Sequence, residues 1–347
     1  MGVVFVVAAG CSAGETTPED VADREETAPA EAVDDRGDEA PAGATTPAAP
    51  ELTPLPFHVE GHRGARGLKP ENTLPAFETA LDIGVTTLEL DLHLSADDEV
   101  VVWHDPALGA DKCRVADGDS GTELPAGGVA IADSTLARLR GYRCDLNPDR
   151  QRFPDQESSP TALAGDRYEL LTLADVFAFV DEYATSPDKT DEQRARAASV
   201  EFNIETKRDV DDPAGIGDGF DGVTPGRFEL EVLAVVDAAG VADRVVIQSF
   251  DHRSLWAIRS IDPDIRLAAL TSREPPDLAE YAARGADIWS PNFNVLSAEL
   301  VAEAHALGLR VIPWTVNRAR DMTDVLERGA DGLITDRPDI AAALQGR

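Results

Sequence analysis

The sequence predicts a (β/α)8 barrel, an α/β fold in which eight parallel strands alternate with helices, with a long N-terminal tail and a small insertion after the second strand. Three observations lead there. First, a unit of helix, glycine and short β-branched strand recurs in "AFETALDIGVTTLELDL", "VVDAAGVADRVVIQSF", "YAARGADIWSPN", "AEAHALGLRVIPWTV" and "VLERGADGLITD". Its glycines, Gly84, Gly240, Gly285, Gly308 and Gly329, stand where a left-handed residue ends a helix. Second, the strands are nearly continuous apolar runs, the pattern of a parallel sheet buried on both faces. Third, "VEGH", "SVEFNIE" and "IRLAAL" bring the strand count to eight, and eight repeats over about 280 residues suit a barrel better than an open doubly wound sheet. No glycine-rich dinucleotide or P-loop fingerprint follows any strand.

The tail comes first in the chain. Residues 1–11, "MGVVFVVAAGC", form an apolar run too short to span a bilayer. They read either as the lipobox of a lipoprotein, with Cys11 carrying the lipid, or as a frayed apolar terminus. Residues 12–56 are mostly Ala, Pro, Thr, Glu and Asp, a disordered acidic tether with too few apolar side chains for a core. Together they predict an extracytoplasmic protein, either secreted or held at the cell surface through a membrane anchor at Cys11. Of the 347 residues 43% are hydrophobic, enough for a sizeable core in the remainder, 57–347. The balance of 31 basic to 65 acidic residues gives a net charge of −34, which repels nucleic acid and anionic membrane surfaces. Any phosphate handled by such a protein needs a locally basic or metal-bearing pocket.

The folded part begins with a strand ending in "GHRG", where Gly64 lets the backbone turn sharply. "PENT" then starts the returning helix. Asn72 or Thr73 is its cap, Pro75 suits its first turn, and Leu74, Phe77 and Leu81 form its core-facing stripe. Strand two, "LELDLHL", is followed after only "SADDE" by "VVVWHD". That linker is far too short for a parallel crossover, so the next strand must fold back as a hairpin about Ala96–Asp98, returning His104 beside Glu89 and Asp91. Residues 106–168 form the insertion. Its Cys113 and Cys144 are either a disulfide, as suits an exported protein, or two free thiols. The barrel resumes with the helix "LTLADVFAFV".

Barrel enzymes work at the C-terminal ends of their strands, and polar residues gather there. Strand one ends in His62 and Arg63, strand two carries Glu89 and Asp91, strand three ends in Glu205 with Lys207 beyond it, and the hairpin delivers His104. Glu89 and Asp91 are two residues apart and share one strand face. Three carboxylates converging in a half-buried mouth repel one another unless a cation neutralises them, and an all-oxygen set selects calcium or magnesium over zinc. Two histidines supply an acid and a base of suitable pKa, while Arg63 and Lys207 add positive charge for an anionic substrate. Glu71 either orients Arg63 or is a solvated acid ahead of the helix. His58, His93, His252 and His305 are assigned to structure, with His93 also placed to support the site from the hairpin. Taken singly these signals are common: Glu89 and Asp91 could be ion-pair partners of Arg63, and a strand tryptophan such as Trp314 is more often core than ligand.

The ordered set "HRGARGLKPENTLPAF", "LELDLHLSADDEVVVWHD", "IETK", "QSFD", "PWTVN" and "DGLITDRP" resembles the glycerophosphodiester phosphodiesterase family of the phospholipase C-like superfamily. The resemblance spans residues 58 to 340. It implies a barrel with an insertion after the second strand, dependence on one divalent cation, Ca2+ or Mg2+, and hydrolysis of glycerophosphodiesters to sn-glycerol 3-phosphate and an alcohol. It further implies His62 and His104 as the acid/base pair, Arg63 and Lys207 as phosphate ligands, and Glu89, Asp91 and Glu205 as metal ligands. Phe250 in "QSFD" and Trp314 in "PWTVN" would line the substrate pocket. Two other functions stay open: the same chemistry on lysophospholipids or glycerophosphate wall polymers, and a non-catalytic surface binding protein. Retention of both histidines, all three carboxylates and both cations argues against the last. No nucleic-acid or protein partner is indicated.

Overall fold

Strand β1 (His58–Gly61) opens the barrel in the computed structural model, which describes residues 57–117, 123–272 and 276–344. The lipobox at Cys11 and the tether lie outside the described residues. Helix α1 (Leu74–Ile83) follows, with Pro75 in its first turn and Leu74, Phe77 and Leu81 buried. Thr73 is the cap: its Oγ accepts from Ala76 N at 3.4 Å and donates to Pro70 O at 2.7 Å. Asn72, the other candidate, adopts φ +55° and turns its side chain to the site instead. Gly84 ends the helix at φ +94°, and the other four predicted helix-ending glycines also have positive φ.

Strand β2 (Thr87–Leu94) is buried along all its length. It turns through Asp98, at φ +66°, into β3 (Val100–Val102), which pairs antiparallel with it, His93 opposite Val101. The predicted hairpin is therefore present. The insertion contributes β4 (Ala107–Leu108), β5 (Arg114–Val115), β6 (Val129–Ala130), α2 (Leu136–Leu139) and β7 (Tyr142–Arg143), with β4 pairing β6 and β5 pairing β7. Its side chains pack with Trp103 of the hairpin segment into a small apolar cluster around Ile131, Leu139 and Tyr142, distinct from the barrel core. Cys113 and Cys144 are joined in a disulfide inside that cluster. Strand β8 (Leu171–Thr172) then adds to β3, and α3 (Leu173–Thr185) starts at a reciprocal capping box between Thr172 and Asp175.

The remaining elements alternate as the repeats predict. They are α4 (Asp191–Ala197), β9 (Glu201–Thr206), α5 (Arg227–Ala239), β10 (Val245–Ser249), α6 (His252–Ile261), β11 (Arg266–Thr271), α7 (Leu278–Ala283), β12 (Ile288–Pro291), α8 (Ala298–Ala306), β13 (Arg310–Val311), α9 (Ala319–Glu327), β14 (Gly332–Thr335) and α10 (Pro338–Ala343). A parallel ladder runs in the order β14, β1, β2, β9, β10, β11, β12, β13. Its two ends meet without a regular ladder. They are joined instead by Asp331 N to Val311 O, Ile334 N to Pro313 O and Val316 N to Ile334 O, each at 2.9 Å.

The barrel interior is polar at one level. Asn203 Nδ2 on β9 donates to Glu60 Oε2 on β1 at 2.6 Å and to Gln248 Oε1 on β10 at 3.1 Å. Burial pushes the Glu60 carboxyl up to about 7. The folded protein thus keeps a proton that the unfolded chain releases, and the corresponding stability is lost as pH rises from the ordinary carboxylate range through 7. Glu60→Gln preserves an acceptor for Asn203 and removes the titration. It should raise the melting temperature at pH 8, where the gain is on the order of 3 kcal/mol, and raise it much less at pH 5. Paired thermal melts at the two pH values check this.

Candidate active site

Parallel register assembles the carboxylates. Asp91 on β2 lies beside Glu205 on β9, and Glu89 shares the inward face of β2 with Asp91. One oxygen from each of Glu89, Asp91 and Glu205 lies within 4.8 Å of the others, and all three residues are buried. Burial and the neighbouring Asp91 and Glu205 push the Glu89 carboxyl well above its usual range. Burial opposes ionisation of Asp91 too, but Arg63, with Nε 3.1 Å from Asp91 Oδ2, prevails and holds that group down to about 2. Asp91 Oδ1 is buried and accepts no hydrogen bond, with Lys207 Nζ 3.8 Å away. Hard oxygen donors, crowded and incompletely compensated, fit a divalent cation.

Each predicted acid/base histidine has one ring nitrogen fixed by a carboxylate. His62, just after β1, places Nδ1 2.6 Å from Asp336 Oδ1. Asp336 is itself held by Asn317, whose Nδ2 donates to Oδ2 at 2.9 Å and whose Oδ1 accepts from the Asp336 backbone N–H at 2.8 Å. Burial and then Arg63 lower the His62 pKa, against the opposing pull of Asp336. A neutral ring donating Nδ1–H to Asp336 leaves Nε2 as an acceptor, 4.0 Å from Glu89 Oε2. His104 places Nδ1 2.7 Å from Asp105 Oδ1, and its backbone carbonyl accepts from His93 Nε2 at 3.0 Å.

The two predicted phosphate cations sit against the carboxylates. Lys207 Nζ donates to Glu205 Oε1 at 2.9 Å. Arg63 adopts φ +53°, which turns its backbone N–H onto Glu89 Oε2 at 2.9 Å while Nη1 reaches Glu71 at 3.2 Å. Gly64 follows at φ +84°, where a Cβ would come within 2.6 Å of the Ala76 carbonyl carbon, so only glycine fits. Glu71 is buried between Arg63 and Arg66, which decides its role: it is not a solvated acid. Phe250 and Trp314 pack edge to face with centroids 5.4 Å apart. Trp314 is 8% exposed and donates Nε1–H to Ser290 O at 3.1 Å, so most of its ring is core. His252 donates Nε2–H to Leu270 O outside the site, while His305 contacts Asp331 and His58 lies beside Glu201, as structural histidines should.

Residues 62–340 match the Glycerophosphoryl diester phosphodiesterase family. The chain belongs to this family. It is 26% identical over 284 residues to the glycerophosphodiester phosphodiesterase of Caldanaerobacter subterraneus, covering 81% of this chain and 94% of that one. The glycerophosphodiester phosphodiesterase of Bacillus altitudinis is 28% identical over 293 residues, covering 83% and 97%. Among solved structures, a Silicibacter pomeroyi protein assigned as a glycerophosphoryl diester phosphodiesterase superposes with a TM-score of 0.67 at 30% identity, over 83% of this chain and 93% of its own. An Oleispira antarctica phosphodiesterase, solved with the product sn-glycerol-3-phosphate, shares the fold at a TM-score of 0.60 and 19% identity, over 84% and 97%.

Within this family member, five side chains join the site that the sequence reading did not assign to it. Asn72 Nδ2 donates to Asp91 Oδ2 at 2.9 Å, and Gln248 Nε2 to Glu89 Oε1 at 3.0 Å. Asp336 and Asp105 hold the histidines, and Lys112 enters from the insertion. Signals existed for some: Asp105 and Asp336 lie inside "VVWHD" and "LITDRP", and Gln248 inside "QSFD". Because crowding raises the Glu89 pKa, a cation at the cluster competes with protonation of that carboxyl, so binding should strengthen as pH rises and weaken as it falls. Calorimetric titration with calcium and magnesium at pH 6 and 8 should show this order. Glu205→Gln should bind more weakly, while its metal-free form, relieved of one repulsion, should melt no lower than wild type.

Proposed function

We propose that this chain hydrolyses glycerophosphodiesters to sn-glycerol 3-phosphate and an alcohol, by acid/base catalysis from His62 and His104 with a divalent cation at Glu89, Asp91 and Glu205. The observation that carries this is the convergence at one barrel mouth of a buried three-carboxylate cluster with two imidazoles, each pinned by its own aspartate. Bound there, calcium or magnesium would polarise a phosphoryl oxygen and offset its negative charge. The neutral His62 ring, with Nε2 as acceptor, suits the base that takes a proton from the attacking water as its oxygen bonds to phosphorus. His104, oriented through Asp105, suits the acid that protonates the departing alkoxide as the P–O bond breaks. Arg63 and Lys207 supply positive charge beside the phosphate in an otherwise acidic protein.

The Oleispira antarctica enzyme supports the product assignment, since its structure of the same fold holds sn-glycerol-3-phosphate. We further propose an extracytoplasmic location with a lipid anchor at Cys11. The Cys113–Cys144 disulfide supports an oxidising compartment.

His62→Ala and His104→Ala should each lower kcat/KM by about 10²- to 10⁴-fold while the melting temperature stays near that of wild type. Near-native turnover of glycerophosphocholine by either folded variant would reject its role. Asp336→Asn removes the charge that raises the His62 pKa, so the acid limb of the pH–rate profile should move to lower pH and kcat should fall. Parallel assays on a lysophospholipid and a glycerophosphate polymer test the substrate class. Deleting residues 1–56 should leave the kinetic constants on glycerophosphocholine unchanged and move the protein from the membrane fraction to the soluble one.

A further inference from the structure

The insertion sends the Lys112 ammonium group into the site. Lys112 Nζ donates to Glu71 Oε1 at 2.9 Å and to Asp105 Oδ2 at 2.6 Å, and lies 5.7 Å from the centroid of the Trp103 ring. Both acceptors have a second duty. Asp105 holds His104 Nδ1 through its other oxygen, and Glu71 forms ion pairs with Arg63 at 3.2 Å and Arg66 at 2.6 Å. A single cation thus links the carboxylate behind one imidazole to the carboxylate behind the arginine at the acidic cluster. Without it, Asp105 and Glu71 would lose the one counter-ion they share.

The backbone that carries Lys112 is held on both sides. Its carbonyl accepts from Leu146 N at 3.1 Å, the next residue is the disulfide-bonded Cys113, and Arg114 then enters the ladder with β7. Cys144 lies on the same segment as Leu146, so the bridge and the backbone hydrogen bond tie one short stretch of the insertion to another directly behind the ammonium.

We propose that Lys112 is a positioning residue for the hydrolysis, keeping Asp105 on His104 and Glu71 on Arg63, and that the Cys113–Cys144 bridge keeps Lys112 in place. This rests on the phosphodiesterase reading, so wild type is assayed beside the variants on glycerophosphocholine with calcium or magnesium. Lys112→Met should lower kcat by about 10- to 100-fold with KM little changed, since no substrate contact is lost. Lys112→Arg, whose fork can reach both carboxylates, should recover most of that loss. Reducing the bridge in folded wild type with a phosphine should lower kcat in the same sense and should not lower that of Lys112→Met further. No wild-type turnover would overturn both readings. An active wild type beside a Lys112→Met variant of unchanged kcat, a change confined to KM, or a loss that Lys112→Arg does not rescue would overturn only the role of Lys112. Lys112→Gln serves under the same criteria if the methionine variant does not fold, and full kcat after complete reduction would overturn the role of the bridge.

Discussion

Three buried carboxylates within 4.8 Å of one another set the terms for everything at the barrel mouth. Left alone they would repel too strongly for all to ionise, and Glu89, with its raised pKa, registers that strain. The surroundings answer it in layers. Arg63 and Lys207 lie against the cluster, Asn72 and Gln248 donate neutral hydrogen bonds to it, and Asp91 Oδ1 keeps a free acceptor position suited to a cation. A local basic shell of this kind is also what lets a chain of net charge −34 handle a phosphodiester.

The same carboxylates explain the backbone around them. Arg63 takes a left-handed conformation that directs its N–H to Glu89, and Gly64 completes a turn so tight against Ala76 that no side chain fits. A few left-handed residues at the strand end therefore convert an ordinary βα turn into part of the site, consistent with the concentration of function in barrel βα loops. Further out, Glu71 collects Arg63, Arg66 and Lys112 around one buried carboxyl. That carboxyl is one of several junctions between the barrel and the insertion, beside those at Arg66 O and Glu78.

The insertion is more than an appendage on the rim. It has a disulfide of its own and packs with Trp103 into a small apolar cluster, and its β8 neighbour extends the β2–β3 hairpin that carries His104. One catalytic candidate thus directly follows barrel strand β1, backed by Asp336 from beyond β14, and the other follows hairpin strand β3, which β8 braces. The two imidazoles are held by separate carboxylates on separate supports, which permits their electrostatic environments to differ.

Local regularities settled much in advance. Helix-ending glycines and β-branched runs marked the eight barrel strands, the short "SADDE" linker required a hairpin, and the spacing of Glu89 and Asp91 put both on one face, because helix stop signals, crossover length and strand parity depend only on neighbouring residues. The pairing of His62 with Asp336, 274 residues apart, depends on the two ends of the barrel meeting, and no local pattern encodes that meeting. The choice of Thr73 over Asn72 as cap turned on which way a left-handed residue aimed its side chain, and the burial of Glu71 on whether the insertion would fold over it. No local pattern singles out Lys112; the disulfide and the β5–β7 ladder carry it to Glu71 and Asp105. Residue spacing along a strand determined which groups point inward; only closure of the ring and packing of the insertion decided which of them are partners, since those contacts are made by segments far apart in the chain.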